Sequence, residues 1–119
     1  MKKKQKRKKE YFCNMTNASA IQIIRSSVRL LFPEARILLF GSMARNDSGS
    51  NSDYDVLIIT KQHFLPKEKI SWVSQIHKAL VYSLNAPVDV LLNSEEEVNS
   101  KKNLPGHVVR WALKEGVEL

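Results

Sequence analysis

Three short apolar runs, Ile37 to Phe40, Val56 to Ile59 and Val88 to Leu92, constrain this sequence more than any other feature. Each is entered or closed by glycine, proline or aspartate, and runs of this length with such borders read as buried strands: Arg36 to Phe40, Tyr54 to Thr60 and Val88 to Leu92. They are far too short to span a membrane. The segments around them carry helical spacing. Ile21, Ile24, Val28 and Leu31 recur at intervals of three and four, with Thr16 or Asn17 placed to cap the helix and Pro33 to end it. Pro66 suits the first position of a second helix, lined on one side by Ile70, Val73, Ile76, Leu80 and Leu84 and stopped by Asn85-Ala86-Pro87. Ser94 with Glu97 is a capping-box pattern for a short third helix. A fourth opens at Pro105 and closes at Gly116. Residues 41 to 53 are a polar stretch with room for one helical turn from Ser42. The order is helix, strand, turn, strand, helix, strand, helix, helix, which predicts a small α/β layer fold, a sheet flanked by helices.

At 119 residues the chain makes one domain, with one core and a cleft at its edge. An apolar share of 43% against 26% charged excludes disordered, collagen-like and coiled-coil chains. The formal charge of +7 suggests a nucleic-acid partner until it is located. Seven of the 19 basic residues lie in residues 2 to 9, and from Tyr11 onward 12 basic residues face 11 acidic ones. Residues 1–15 therefore read as a basic, flexible tail ahead of a nearly neutral domain over residues 16–119. Such a tail is a solvated arm, with phosphate contact as its alternative role. The basic start leads into Tyr11-Phe12-Cys13-Asn14, which is no apolar core of a secretory signal. Cys13 is the sole cysteine, so an internal disulfide is impossible and a reducing cytoplasm is the expected compartment.

The chemistry-bearing residues collect at the strand borders. Of four aspartates, three stand at strand starts: Asp53 and Asp55 at the second strand and Asp89 at the third. Residues two apart on a strand share a face, so Asp53 and Asp55 project together. Carboxylates held side by side repel and partly protonate unless a cation sits between them. Hard oxygen donors without paired histidine or cysteine suit Mg²⁺ or Mn²⁺. His63, His77 and His107 are dispersed and read as surface residues. Gly41-Ser42 follows the first strand directly, where glycine lets a backbone approach a phosphate and helix-start N–H groups bind anions. Trp72 and Trp111 read as packing residues on helices, and Tyr54, between the two motif aspartates, as a core residue on the opposite strand face.

Gly41-Ser42, ten residues, then Asp53-Tyr54-Asp55, with Asp89 on a later strand, resembles the hallmark of the minimal nucleotidyltransferases of the polymerase-beta-like superfamily. The likeness extends from residue 16 to the end. Asn46 stands where the family often has glycine, and Met43 where it often has arginine, which leaves Arg45 as the nearby cation. The resemblance implies the nucleotidyltransferase fold and transfer of AMP from ATP onto a hydroxyl. It implies metal binding and catalysis by Asp53, Asp55 and Asp89, and nucleotide binding by Gly41, Ser42 and Arg45. Larger members append a domain that completes the acceptor site, so a second subunit, hetero-oligomeric or homodimeric, is expected to supply that wall. Members resembling this chain pair with a HEPN-domain toxin and act as antitoxins by adenylylating its tyrosine. The alternatives are transfer to a small antibiotic-type hydroxyl compound and a non-catalytic antitoxin that covers its partner. Nucleic-acid contact through the basic tail is compatible with each.

The motif also sets strand directions. For Gly41-Ser42 at the end of the first strand to meet Asp53 and Asp55 at the start of the second, those strands must be antiparallel. Asp89 also starts its strand, so that strand must run parallel to the second, joined through the helix from Pro66 to Leu84. A mixed sheet with its functional groups at one end is the expectation.

Overall fold

The computed structural model describes the backbone of residues 7–41 and 54–119 and, within them, the side chains from Ser19 onward. The three apolar runs form strands β1 (Arg36–Phe40), β2 (Tyr54–Thr60) and β3 (Val88–Ser94). Around them lie helices α1 (Arg7–Leu31), α2 (Pro66–Leu84), α3 (Glu95–Lys101) and α4 (Val108–Glu115). β2 runs antiparallel to β1 and parallel to β3, as the motif geometry requires. A two-residue strand, β4 (Val117–Glu118), pairs antiparallel with β1 and gives the described sheet the order β3-β2-β1-β4.

Alternation along the strands divides the interior into two layers. Ile37, Leu39, Tyr54, Val56, Ile58, Val88 and Leu92 face one way and pack with Ala20, Ile24 and Val28 of α1 and Ile76 and Leu80 of α2. Leu38, Phe40, Leu57 and Ile59 face the other way, against Val98 of α3 and Val109 and Ala112 of α4. Ile24, Ile37, Leu57, Ile58 and Leu80 have no exposed surface, and each contributes roughly 1.5–3 kcal/mol by burial. Trp72 closes the first layer in an aromatic cluster, its ring centroid 5.0 Å from Phe32 and 6.3 Å from Phe64.

Four local expectations change. α1 does not start at Thr16 or Asn17 but continues back to Arg7, because no glycine or proline interrupts residues 7–31 and lysine and arginine are good helix formers. α4 does not open at Pro105. The Pro105-Gly106 pair forms a turn instead, with Gly106 at φ +76 and the His107 N–H donating to the Leu104 carbonyl at 3.1 Å. His107 then caps α4, its Nδ1 accepting from the Val109 N–H at 3.1 Å. β3 runs two residues past Leu92, since Asn93 and Ser94 continue the ladder beside Ile59 and Thr60. Trp111 is not a packing residue: nearly half of it is exposed, at 48%. Other boundaries hold, including Pro66 at the start of α2 and the reciprocal Ser94–Glu97 box on α3. Asn85 ends α2 in the left-handed conformation at φ 53, which asparagine tolerates.

Candidate active site

Strand register aligns Asp55 and Asp89 of the motif beside the end of β1. Asp55 stands opposite Asp89 on the parallel neighbour and opposite Phe40 on the antiparallel one. Because Tyr54 and Val56 turn toward α1 and α2, Asp55 turns to the side of α3 and α4, with Leu57 and Ile59. Asp89 lies on that same side, between Val88 and Val90, which face the first layer. Asp55 is half-buried and Asp89 exposed, so the pair lies at the rim of the sheet where a ligand can reach it. Directly facing carboxylates on neighbouring strands repel.

Gly41 sits immediately beyond the end of β1, at φ +78, a conformation that side-chain-bearing residues rarely adopt. A Cβ there would overlap the Asp55 carboxylate, whose Cγ lies 3.1 Å from the position it would occupy. Glycine is thus required twice, by its backbone angle and by the acid packed on its Cα. Tyr54 is buried on the far face, as its position between the two motif aspartates predicts, and burial pushes its phenol pKa up. Its N–H donates to the Pro87 carbonyl at 3.1 Å, holding the start of β2 against the turn that precedes Asp89.

Ser42, Arg45 and Asp53, the other residues singled out in the motif, lie outside the described residues, as does the helical turn expected from Ser42. Among the described residues no cluster of three or more potential metal-ligating side chains occurs; Asp55 and Asp89 form a pair. Two aspartates in register offer hard oxygen donors whose mutual repulsion a divalent cation relieves, so this donor set fits Mg²⁺ or Mn²⁺. None of the histidines joins them. His63 and His77 are exposed, and His107 is occupied as a helix cap. Sequence reasoning did not find the role of Phe40 as the cross-strand neighbour of Asp55, although its place just before Gly41 was the available signal.

The family model for the nucleotidyltransferase domain matches residues 21–116, a stretch that holds the positive-φ Gly41 and the aligned Asp55 and Asp89. The chain belongs to that family. Three solved structures are similar to it in fold. A chain of a toxin–antitoxin complex with AMP-PNP superposes with a TM-score of 0.58 at 19% identity, over 82% of this chain and 69% of that one. Chains of two mutant MntA–HpeT toxin–antitoxin complexes give 0.57 at 18% identity and 0.55 at 16%, over 81% and 86% of this chain and 68% and 70% of theirs. No curated protein matches the sequence. Among the described residues no helix is long and apolar enough to cross a membrane.

Proposed function

We propose that the chain is a metal-dependent protein adenylyltransferase of the cytoplasm, which transfers AMP from ATP onto a tyrosine hydroxyl of a HEPN-domain toxin and so acts as its antitoxin. The observation that carries this reading is the register alignment of Asp55 with Asp89 beside Gly41. The similar chains found in toxin–antitoxin complexes, one of them with AMP-PNP, support the choice of nucleotide and partner.

In this reading the Gly41-Ser42 turn holds the phosphates through backbone N–H groups and the serine hydroxyl, and Arg45 pairs with their charge. Asp53, Asp55 and Asp89 would hold Mg²⁺ or Mn²⁺, which when bound would supply positive charge to offset that of the phosphates and of the displacement's transition state. Asp89, the exposed member of the pair, faces the acceptor and takes its hydroxyl proton. The acceptor oxygen bonds to the α-phosphorus as the bond to the bridging oxygen breaks, and pyrophosphate leaves. Incubation of the chain with labelled ATP, a divalent cation and its HEPN partner is expected to label the partner on tyrosine. An unlabelled partner, or labelling that survives the Asp53→Ala, Asp55→Ala double substitution, overturns the reading.

A further inference from the structure

α4 is apolar on both faces. Val109 and Ala112 point inward with 1% and 0% of their surface exposed, whereas Val108 and Trp111 point outward at 42% and 48%. Leu104, in the preceding turn, adds a third outward apolar side chain at 46%. An open groove of about 350 Å³ lies along this outer face, lined by Gly106, His107, Val108, Arg110, Trp111 and Lys114. The inner face already satisfies the packing needs of the helix, so the outer one needs a separate explanation.

The charge of the groove is as one-sided as its apolarity. Among the described residues Arg110 and Lys114, both exposed, are its charged lining residues, and none of the lining is a carboxylate. The domain as a whole is close to neutral, with 12 basic residues, these two among them, against 11 acidic ones from Tyr11 onward. An exposed tryptophan beside an arginine is the composition of a protein-binding hot spot. Two cations on one helical turn are too few to track a nucleic-acid backbone, which takes a longer run of phosphate contacts.

Position ties the groove to the aspartates. α4 covers the sheet face on which Asp55 and Asp89 lie, and its last residue leads through Gly116 into β4. Val117 there pairs with Leu39, one residue before Phe40, the cross-strand partner of Asp55. The C-terminal end of α4 therefore approaches the end of the sheet that bears the carboxylates.

We infer that the α4 groove docks an acidic segment of the acceptor protein, which seats an aliphatic or aromatic side chain on Trp111 and Val108 and pairs its carboxylates with Arg110 and Lys114. The inference rests on the transfer reading above and adds the chemistry of the acceptor. The test is binding without nucleotide, so that it stands apart from transfer. A fluorescein-labelled amphipathic peptide of Glu, Leu and Tyr is titrated with the protein by anisotropy, alongside the same peptide with Lys in place of Glu and a single-stranded oligonucleotide. The acidic peptide is expected to bind saturably. Trp111→Ala weakens it roughly tenfold or more, Trp111→Phe retains it, and Arg110→Glu with Lys114→Glu shifts preference to the Lys peptide. Asp55→Ala leaves binding unchanged. Absence of saturable binding, equal affinity for the two peptides, preference for the oligonucleotide, or insensitivity to Trp111→Ala in a variant whose circular dichroism matches the parent overturns the docking site. Labelling of the partner by the parent chain and equally by Trp111→Ala overturns docking while leaving transfer intact; peptide binding without any labelling does the reverse.

Discussion

The two ends of the β2–β3 pair use the same strand alternation for opposite purposes. Where the strands finish, the buried polar residues Thr60, Asn93 and Ser94 are all answered by neighbours. The Thr60 hydroxyl donates to the Gln62 carbonyl at 2.8 Å, and Lys101 Nζ donates to Asn93 Oδ1 at 2.9 Å. Glu97 accepts from the Ser94 N–H at 2.8 Å and from Lys69 Nζ at 2.9 Å, while its own N–H donates to Ser94 Oγ. Where the strands begin, Asp55 and Asp89 are set side by side on one face. Like charges at facing positions repel, and in the transfer reading a bound cation offsets that repulsion. One end closes the fold, and the other carries the proposed site.

Substitutions that separate the two ends test this contrast, and the largest effect belongs to the aspartates. Asp89→Asn, or Asp55→Asn, is expected to reduce labelling of the partner by roughly a hundredfold or more, the scale of losing a charge that acts on the transition state. For Asp89, which is exposed, the unfolding free energy should stay within about 0.5 kcal/mol of the parent. A comparable loss of stability by denaturant titration would mean that the acidic end is structural after all. Gly41→Ala follows, and here both readouts move. The positive φ alone costs roughly 1–2 kcal/mol, and the added methyl displaces the Asp55 carboxylate, so thermal stability and transfer fall together.

How much of this was legible in the sequence depended on whether a residue's role is local. Arg36 to Phe40, Tyr54 to Thr60 and Pro66 to Leu84 emerge with the boundaries that their apolar runs and flanking breakers predict. The strand directions followed from asking where Gly41, Asp55 and Asp89 could meet. The pairing of β4 was not legible, because two residues carry no period and Val117-Glu118 becomes a strand only by finding the free edge of β1. Trp111 was misjudged for a related reason: in a helix as short as α4, Val108 and Val109 are equally apolar, and only the docked orientation decides which faces inward. Pro105 shows the reverse case, in which the following Gly106 turned a helix-start signal into a turn.

At the closing end the expected effects are on stability alone. Glu97→Ala removes the capping box of α3 together with the bridge to Lys69 on α2, and should cost about 1–2 kcal/mol while leaving transfer unchanged. Burial by itself would raise the Glu97 pKa, but hydrogen bonds from Lys69 and the Ser94 N–H, with the charges of Lys69 and Lys101, hold it below its ordinary 4.5. A lowered carboxylate pKa means that the contribution is fully present above pH 4.5 and is lost as pH falls through the folded-state value. Urea titrations of the parent and of Glu97→Gln should therefore differ at neutral pH and converge in acid; a gap that widens on acidification would show that the ion pair is not its source.

The smallest effect marks the edge of the sheet. Arg36 grips Glu118 with two of its guanidinium nitrogens, Nε at 3.0 Å and Nη2 at 2.9 Å, and this hydrogen bonding holds the Glu118 carboxyl below its usual range. Half of each side chain is exposed, so solvent screening limits the pair to under about 1 kcal/mol despite its geometry. Glu118→Gln should lower the melting temperature slightly at low salt and not at all at high salt. β4 holds its place mainly by backbone pairing, including the Leu119 N–H donating to the Ile37 carbonyl at 2.8 Å, so amide exchange at Leu119 should remain slow in the variant. Rapid exchange there would make the ion pair the anchor of the strand, and with it of the C-terminal end of α4 beside the acidic pair.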